Sequence, residues 1–441
     1  MNLREETEPP VAPGLTLPES RRMVPGSSLD RAMSHGRFRG ALAILGPAFV
    51  ASVAYVDPGN FATNFAAGAQ HGYQLVWVIL MANLMAIIVQ YLTSKAGLYT
   101  GRSLPEICAG RFGRKTNTVL WIQAEVVAMA TDLAEFVGAA VGLYLVFGID
   151  LFPAGIITAF VAFGILALEQ RGHRKFELAI IALLSLIAIG FLYTFFAVGD
   201  QDYKAMAEGV IPNLSGQGSL ALAVGIIGAT VMPHVVYLHS ALQKNRIRPQ
   251  NQHEMRTLLR YNRLDCIIGL GIAGVVNLSM LCIAAALFNV PGLSNIDDLI
   301  QIHGELGTLV SGGAALAFGV ALMASGFSSS SVGTYAGQVV MSGFMGWRIP
   351  LVLRRSITMA PALIVLALGV NTTDALVLSQ IVLSFGIPFA LVPLILVTRD
   401  RKIMGGMVNS TPMTFAVSVI AVIISALNIY LLYDAFSGAF S

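Results

Sequence analysis

Residues 41–69 read ALAILGPAFVASVAYVDPGNFATNFAAGA, an apolar run long enough to cross a bilayer but interrupted near its middle by Asp57-Pro58-Gly59-Asn60. Proline lacks the amide that a helix needs, its ring crowds the preceding turn, and Gly59 adds backbone freedom, so the helix should break here. A break inside hydrocarbon leaves carbonyls and amides unpaired, which is tolerated only where they line a protein-enclosed site. Asp57 stands at that break. A carboxylate near the bilayer centre costs about 3 kcal/mol or more, which makes it a functional candidate by default. The alternative is a structural Asp that caps the second half-helix.

The rest of the chain fits this reading. Of its 441 residues 56% are hydrophobic and only 12% charged, and the mean hydropathy is +0.73. A soluble domain carries roughly 25% charged residues, so this chain could not cover a water-facing surface of its length. That excludes an ordinary globular enzyme, a disordered scaffold and a nucleic-acid binder, the last also disfavoured by a net charge of only +3. The predicted class is an all-α polytopic membrane protein in a lipid bilayer. Eleven apolar segments, expected as 11 transmembrane helices, fall at about 41–69, 74–98, 117–147, 151–170, 176–198, 219–243, 264–288, 308–341, 356–371, 374–397 and 412–436. The polar stretch 1–40, with Pro9, Pro10, Pro13, Pro18 and Pro25, lacks the apolar core of a signal peptide and reads as a flexible cytoplasmic tail. Cys108, Cys266 and Cys282 are isolated and read as inert thiols.

Lys and Arg resist translocation, so their placement tests the segment assignment. With the amino terminus cytoplasmic, all but one of the 27 Lys and Arg residues fall on the cytoplasmic side, Lys204 being the exception. The expected topology is therefore a multi-pass protein of the cell (inner) membrane, amino terminus cytoplasmic and carboxyl terminus outside. Asp150, Asp200, Asp202, Glu208, Asp297, Asp298, Glu305, Asp374 and Asp434 fall on the outer side. They are either an acidic vestibule that concentrates cations or simply what remains once positive charge is held inside.

The sixth segment repeats the arrangement of the first. LALAVGIIGA is followed by Thr230-Val231-Met232-Pro233-His234 and then VVYLHSAL. Segments 1 and 6 are corresponding members of two five-helix repeats, 41–198 and 219–397, with 412–436 as an eleventh helix. An odd number of helices per repeat makes the repeats inverted, and paired interruptions at matching positions point to a binding site between them. Asp57 offers a hard anionic oxygen, Asn60 an amide oxygen, and the breaks offer carbonyls, those of Ala54 and Ala229. Met232 offers a thioether. Sulfur adds little for Mg²⁺ or Ca²⁺, which prefer oxygen shells, but suits Mn²⁺, Fe²⁺, Co²⁺ or Cd²⁺. The bland reading of Met232 is a core filler.

Asp57-Pro58-Gly59-Asn60 and Met232-Pro233-His234 resemble the two signature motifs of the Nramp family of divalent metal transporters, and the resemblance extends over about 41–436. It implies a proton-coupled importer of Mn²⁺ and Fe²⁺, of bacterial type, with the amino-acid/sodium symporter-like fold. It also implies Asp57, Asn60 and Met232 as side-chain metal ligands, with the carbonyls of Ala54 and Ala229 contributing in some conformations.

The third segment carries three acids, Glu125, Asp132 and Glu135. Spacings of three and seven place Asp132 with Glu135, and Glu125 with Asp132, on shared helix faces. They read as a proton relay, or as structural partners of Arg residues; the resemblance places Asp132 and Glu135 in the family's proton pathway. Arg354 and Arg355, entering the ninth segment, are candidate cationic partners, or a plain positive-inside flank. His234 is expected to assist proton transfer or gating rather than to bind metal, and His239 to line the pore or pack. Gln380, Asn277 and Ser328 to Ser331 are inward-facing candidates that interhelical hydrogen bonding explains equally well. No cofactor is expected, the metal being substrate. The rivals are a sodium-coupled organic-solute symporter of the same fold, which leaves Asp57 and Met232 unexplained, a passive cation channel, and a membrane enzyme, against which stands the absence of HExxH.

Overall fold

The computed structural model describes residues 22, 25–34, 36–170, 172–199, 201–214, 218–244, 246–294, 296, 298–347 and 349–439. Most of the expected tail, and with it Arg4 and Arg21, lies outside these residues, as do Arg171, Asp200, Asp297 and Arg348. The described part of that stretch contains a helix, Ser28–Met33, which begins with a Ser27 cap and buries Leu29.

The described residues are helical, with no strand among them. The helices that build the architecture are α1 (Pro47–Ala54), α2 (Pro58–His71), α3 (Val76–Thr100), α4 (Leu104–Arg111), α5 (Arg114–Phe147), α6 (Leu151–Gln170) and α7 (His173–Val198). They continue as α8 (Ser219–Thr230), α9 (Pro233–Gln243), α10 (Gln252–Phe288), α11 (Leu299–Leu309) and α12 (Gly312–Met345). The last are α13 (Leu351–Leu368), α14 (Thr372–Thr398) and α15 (Thr411–Ala439). Among the described residues nine stretches are long and apolar enough to cross a membrane.

Both expected breaks are present: α1 gives way to α2 across Tyr55-Val56-Asp57, and α8 to α9 across Val231-Met232. Pro58 and Pro233 occupy the first turns of α2 and α9, where a missing amide costs nothing. At the first break the Tyr55 and Val56 amides turn back to the Ser52 and Val53 carbonyls at 3.0 and 3.1 Å. The exposed carbonyls then find side chains from other helices. Asn277 on α10 donates to the Tyr55 carbonyl at 2.8 Å, and the Ser325 hydroxyl on α12 to the Val56 carbonyl at 2.5 Å. An open helix end in an apolar interior requires partners of this kind.

Small residues bring the long helices together. A Cβ at Gly142 of α5 would stand 2.6 Å from the Met323 backbone of α12, and one at Gly326 of α12 would stand 2.6 Å from the Ala139 amide nitrogen of α5. Backbones this close gain dispersion contacts where lipid supplies no hydrophobic drive. Beside this seam Phe61 and Phe65 of α2 meet Phe191 and Phe318 edge-on or tilted, at centroid separations of 5.0 to 6.4 Å.

Two boundaries differ from the sequence reading. The apolar pattern predicts a ninth segment from 356, but α13 starts at Leu351, so Arg354 and Arg355 lie inside a helix and are 6% and 1% exposed. Local apolar content marks where a helix enters lipid, not where it begins. For the same reason α10 starts at Gln252 rather than 264, and Asp265 is an interior, buried position.

Candidate metal centre

Asp57 is the N-cap of α2. Its Oδ1 accepts from the Asn60 amide at 2.9 Å and from Asn60 Nδ2 at 2.7 Å, while Oδ2 lies 3.4 Å from Gln380 Nε2 on α14. The structural reading of Asp57 as a helix cap holds, and the cap leaves its second oxygen facing Gln380. Gln380 reaches Asp57 by lying across Gly59, in the space a Cβ would fill. On the other flank of the break, Pro58 packs against Gly138 of α5 with no room for a side chain there.

The second break meets the first here. Pro233 has no amide to offer the Ala229 carbonyl, and Asn60 Nδ2 donates to that carbonyl across the gap at 3.1 Å. Pro58 likewise has no amide to offer the Ala54 carbonyl. Met232, fully buried in an extended conformation, is the N-cap of α9. Asp57, Asn60, Ala54 and Ala229 are likewise fully buried. Two amide oxygens beside Asp57, Asn60 Oδ1 and Gln380 Oε1, are buried without a hydrogen-bond donor. Unpaired acceptors are costly in an apolar interior, and they are the groups a desolvated cation would satisfy. Among the described residues no three His, Cys, Asp or Glu side chains gather as a metal cluster. A site of one carboxylate, neutral oxygens and a thioether needs no such cluster.

The acids of α5 lie on one side of this centre. Glu135 is fully buried, and both its carboxylate oxygens lack a hydrogen-bond partner. Asp132, also buried, stands one turn before it on the same helix. Arg354 donates to Glu125 Oε2 at 2.7 Å, and Trp121 Nε1 donates to Glu125 Oε1 at 3.1 Å. Arg355 instead bonds the Ser330 carbonyl at 2.9 Å and its hydroxyl, and lies over Phe136 and Phe163 at 5.3 and 5.4 Å from the ring centroids. Arg354 thus pairs with the acidic face of α5, whereas Arg355, also inside a helix, is held by Ser330 of α12. Glycines on α12 make the room: a Cβ at Gly333 would meet the Glu135 carboxylate at 2.7 Å, and Gly337 faces the Arg354 guanidinium. Replacing Glu125 with Gln should leave the 6%-exposed Arg354 without its counter-charge. A cost of about 1–3 kcal/mol, read as a lower thermal-unfolding midpoint in detergent, is the expected result.

Other expected residues fall close by. His234 Nδ1 lies 3.3 Å from the Thr131 hydroxyl on α5, and its Nε2 is buried without a partner. Asn277 holds the first break and accepts from Asn64 at 3.0 Å. His239 sits beneath the break, its Nδ1 2.9 Å from Gln90 Oε1, while Gln90 donates to the Tyr55 hydroxyl at 2.5 Å. Ser328 and Ser329 bond carbonyls one turn back within α12. Sequence reasoning missed Thr131, Gln90 and Ser325. Each is a neutral polar residue whose only signal is burial, which a single sequence does not display.

A family model described as natural resistance-associated macrophage protein-like (Nramp) matches residues 48–434. A divalent metal cation transporter of Deinococcus radiodurans is 49% identical over 432 residues, covering 96% of this chain and 99% of that one. The corresponding transporter of Bacillus subtilis is 50% identical over 401 residues, 90% of this chain and 94% of that one. Among solved structures, a manganese transporter of Eremococcus coleocola superposes with a TM-score of 0.83 at 29% identity, over 97% of this chain and 92% of that one. A nucleobase-cation-symport-1 family transporter shares the fold alone, with a TM-score of 0.58 at 14% identity.

Proposed function

The chain belongs to the Nramp family, and on that premise we propose that its centre carries divalent transition metal ions, Mn²⁺ and Fe²⁺ and also Cd²⁺ and Co²⁺, into the cell with protons. It is a multi-pass membrane transporter of divalent metal cations and not an enzyme. The metal is cargo, and no resident cofactor is assigned. One observation carries the reading: a buried carboxylate, Asp57, sits where two broken helices meet, among unpaired amide oxygens, with the buried Met232 at the second break.

Asp57, Asn60 and Met232 bind the ion with their side chains, and Ala54 and Ala229 with their carbonyls. Water is stripped on entry, and the thioether disfavours Mg²⁺ and Ca²⁺. The proton leaves Asp57 by way of His234, Glu135 and Asp132 toward Arg355, Arg354 and Glu125. The burial of Asp57, Glu135 and Asp132, with Asp132 and Glu135 one turn apart on α5, supports that order. Gln380 and Asn277 line the path, Gln380 through its contact with Asp57 and Asn277 through its hold on the break. Eleven spans follow when Pro58–Thr100 is divided at its mid-helix turn and Leu351–Leu368 is counted. They form two inverted five-helix repeats at 41–198 and 219–397 plus a last helix at 412–436, with the amino terminus and its tail cytoplasmic and the carboxyl terminus outside. Alternating access then turns on the two breaks.

Reconstituted vesicles test this. An acidic exterior should accelerate Mn²⁺ uptake several-fold, with excess Mg²⁺ or Ca²⁺ competing poorly and Na⁺ having no effect. Uptake indifferent to the pH gradient would remove the proton, and Na⁺-driven uptake would favour the symporter reading.

A further inference from the structure

The polar groups around the centre do not account for a second charge cluster, built on the buried acids Asp265 and Glu177, which surrounds residues 43–48 at the start of α1. Gly46 has no side chain with which to cap α1. Asp265 of α10 takes that part: its Oδ1 accepts from the Gly46 amide at 3.1 Å and its Oδ2 from the Ala48 amide at 2.9 Å. A carboxylate at a helix N-terminus meets both orphan amides and the positive end of the dipole. Immediately before it, the carbonyls that end the helix Arg37–Ile44 are bound by cations. Arg246 Nη2 donates to Ala43 and Leu45 at 3.1 and 3.3 Å, and Arg174 Nη1 to Leu45 at 3.0 Å. Glu177 of α7 pairs with both arginines.

Gly46 is required here twice. Its φ of +149° is one that side chains rarely adopt, and a Cβ would stand 2.6 Å from the Glu177 carboxylate. Six residues of chain are thus gripped at both polarities by α7, by α10 and by the 244–251 connection.

Resting on the transport reading, we propose that Asp265, Glu177 and Arg246 form a latch on α1 and act as positioning residues. They hold α1, and with it the Ala54 carbonyl, against α10 while the inner path is closed, and release of the ion to the cytoplasm requires their contacts to break together. A cap and charge-assisted bonds of this kind stabilise the latched state by amounts that a single substitution removes measurably. Each such loss shifts the closed–open equilibrium of α1 toward open.

The test reads α1 directly. A cysteine reporter at the fully buried Ser52 of α1, in a background with the three native cysteines replaced by serine, is alkylated with N-ethylmaleimide in vesicles. Asp265→Ala and Glu177→Gln should each raise the labelling rate about tenfold. Asp265→Asn, which keeps a capping oxygen, should fall between them and the parent. Arg246→Gln provides a folding-safe check, because Glu177 keeps Arg174 as its partner; it too should label faster. Mn²⁺ binding affinity in detergent serves as the control for an intact centre. Parental labelling in Asp265→Ala and Arg246→Gln proteins that still bind Mn²⁺ would overturn the latch. Failure of the parent to bind or transport metal would instead overturn the functional reading; a parental thermal-unfolding midpoint in detergent then serves as the control, and parental labelling in both variants would still overturn the latch.

Discussion

Asp57→Asn should abolish Mn²⁺ uptake while leaving the fold intact. A single negative charge about 4 Å from a cation contributes about 4 kcal/mol at an effective dielectric near 20, so its loss should weaken binding about 1,000-fold or more. Asparagine is as good an N-cap as aspartate. The oxygen that holds the Asn60 amide at 2.9 Å can therefore be kept while the charge goes. Asp57→Ala removes both and should add about 1 kcal/mol of instability to the same transport defect. Comparing uptake with thermal stability for the two variants separates the roles. Parental uptake by Asp57→Asn would remove this residue from the centre.

Met232→Ala should change which ions pass more than how fast they pass. Asp57, Asn60 and the carbonyls remain, so Mn²⁺ uptake should continue at lower affinity. The shell left behind is all oxygen, the kind Ca²⁺ and Mg²⁺ prefer. Inhibition of Mn²⁺ uptake by Ca²⁺ should rise about tenfold or more, equivalent to about 1.4 kcal/mol of lost discrimination. The measurement is competition by each ion against labelled Mn²⁺ in vesicles. An unchanged order of preference would reduce Met232 to packing.

The two breaks were legible because proline leaves its mark in one sequence position, and an Asp beside it inside an apolar run is too costly to stand there without a task. That local chemistry placed Asp57, Asn60, Ala229 and Met232 on the two breaks, and the Asn60–Ala229 bond of 3.1 Å joins them. The acids of α5 were legible for the same reason, through helical spacing. The arginines were only half legible. Arg354 and Arg355 have the look of an edge of positive charge, yet they are interior residues, because α13 extends five residues beyond the apolar stretch expected from 356. The latch on α1 was not legible at all. Asp265, Glu177 and Arg246 come from distant stretches, and each is adequately accounted for locally as a flanking charge. What joins them is tertiary packing around Gly46, a residue whose importance lies in what its missing side chain admits.

The division of labour between the two oxygens of Asp57 has a consequence for the unloaded half of the work cycle. Oδ1 is committed to Asn60 twice over, whereas Oδ2 faces the more distant Gln380 amide at 3.4 Å. Arriving cargo can take up Oδ2 without unseating the helix end, and departing cargo leaves that end as it was. An importer must bring its vacant form back across the barrier after every delivery. The bonds from Asn60 to Oδ1 splice the hinge without any help from the cargo, so the joint on which the return stroke turns is built by the chain itself.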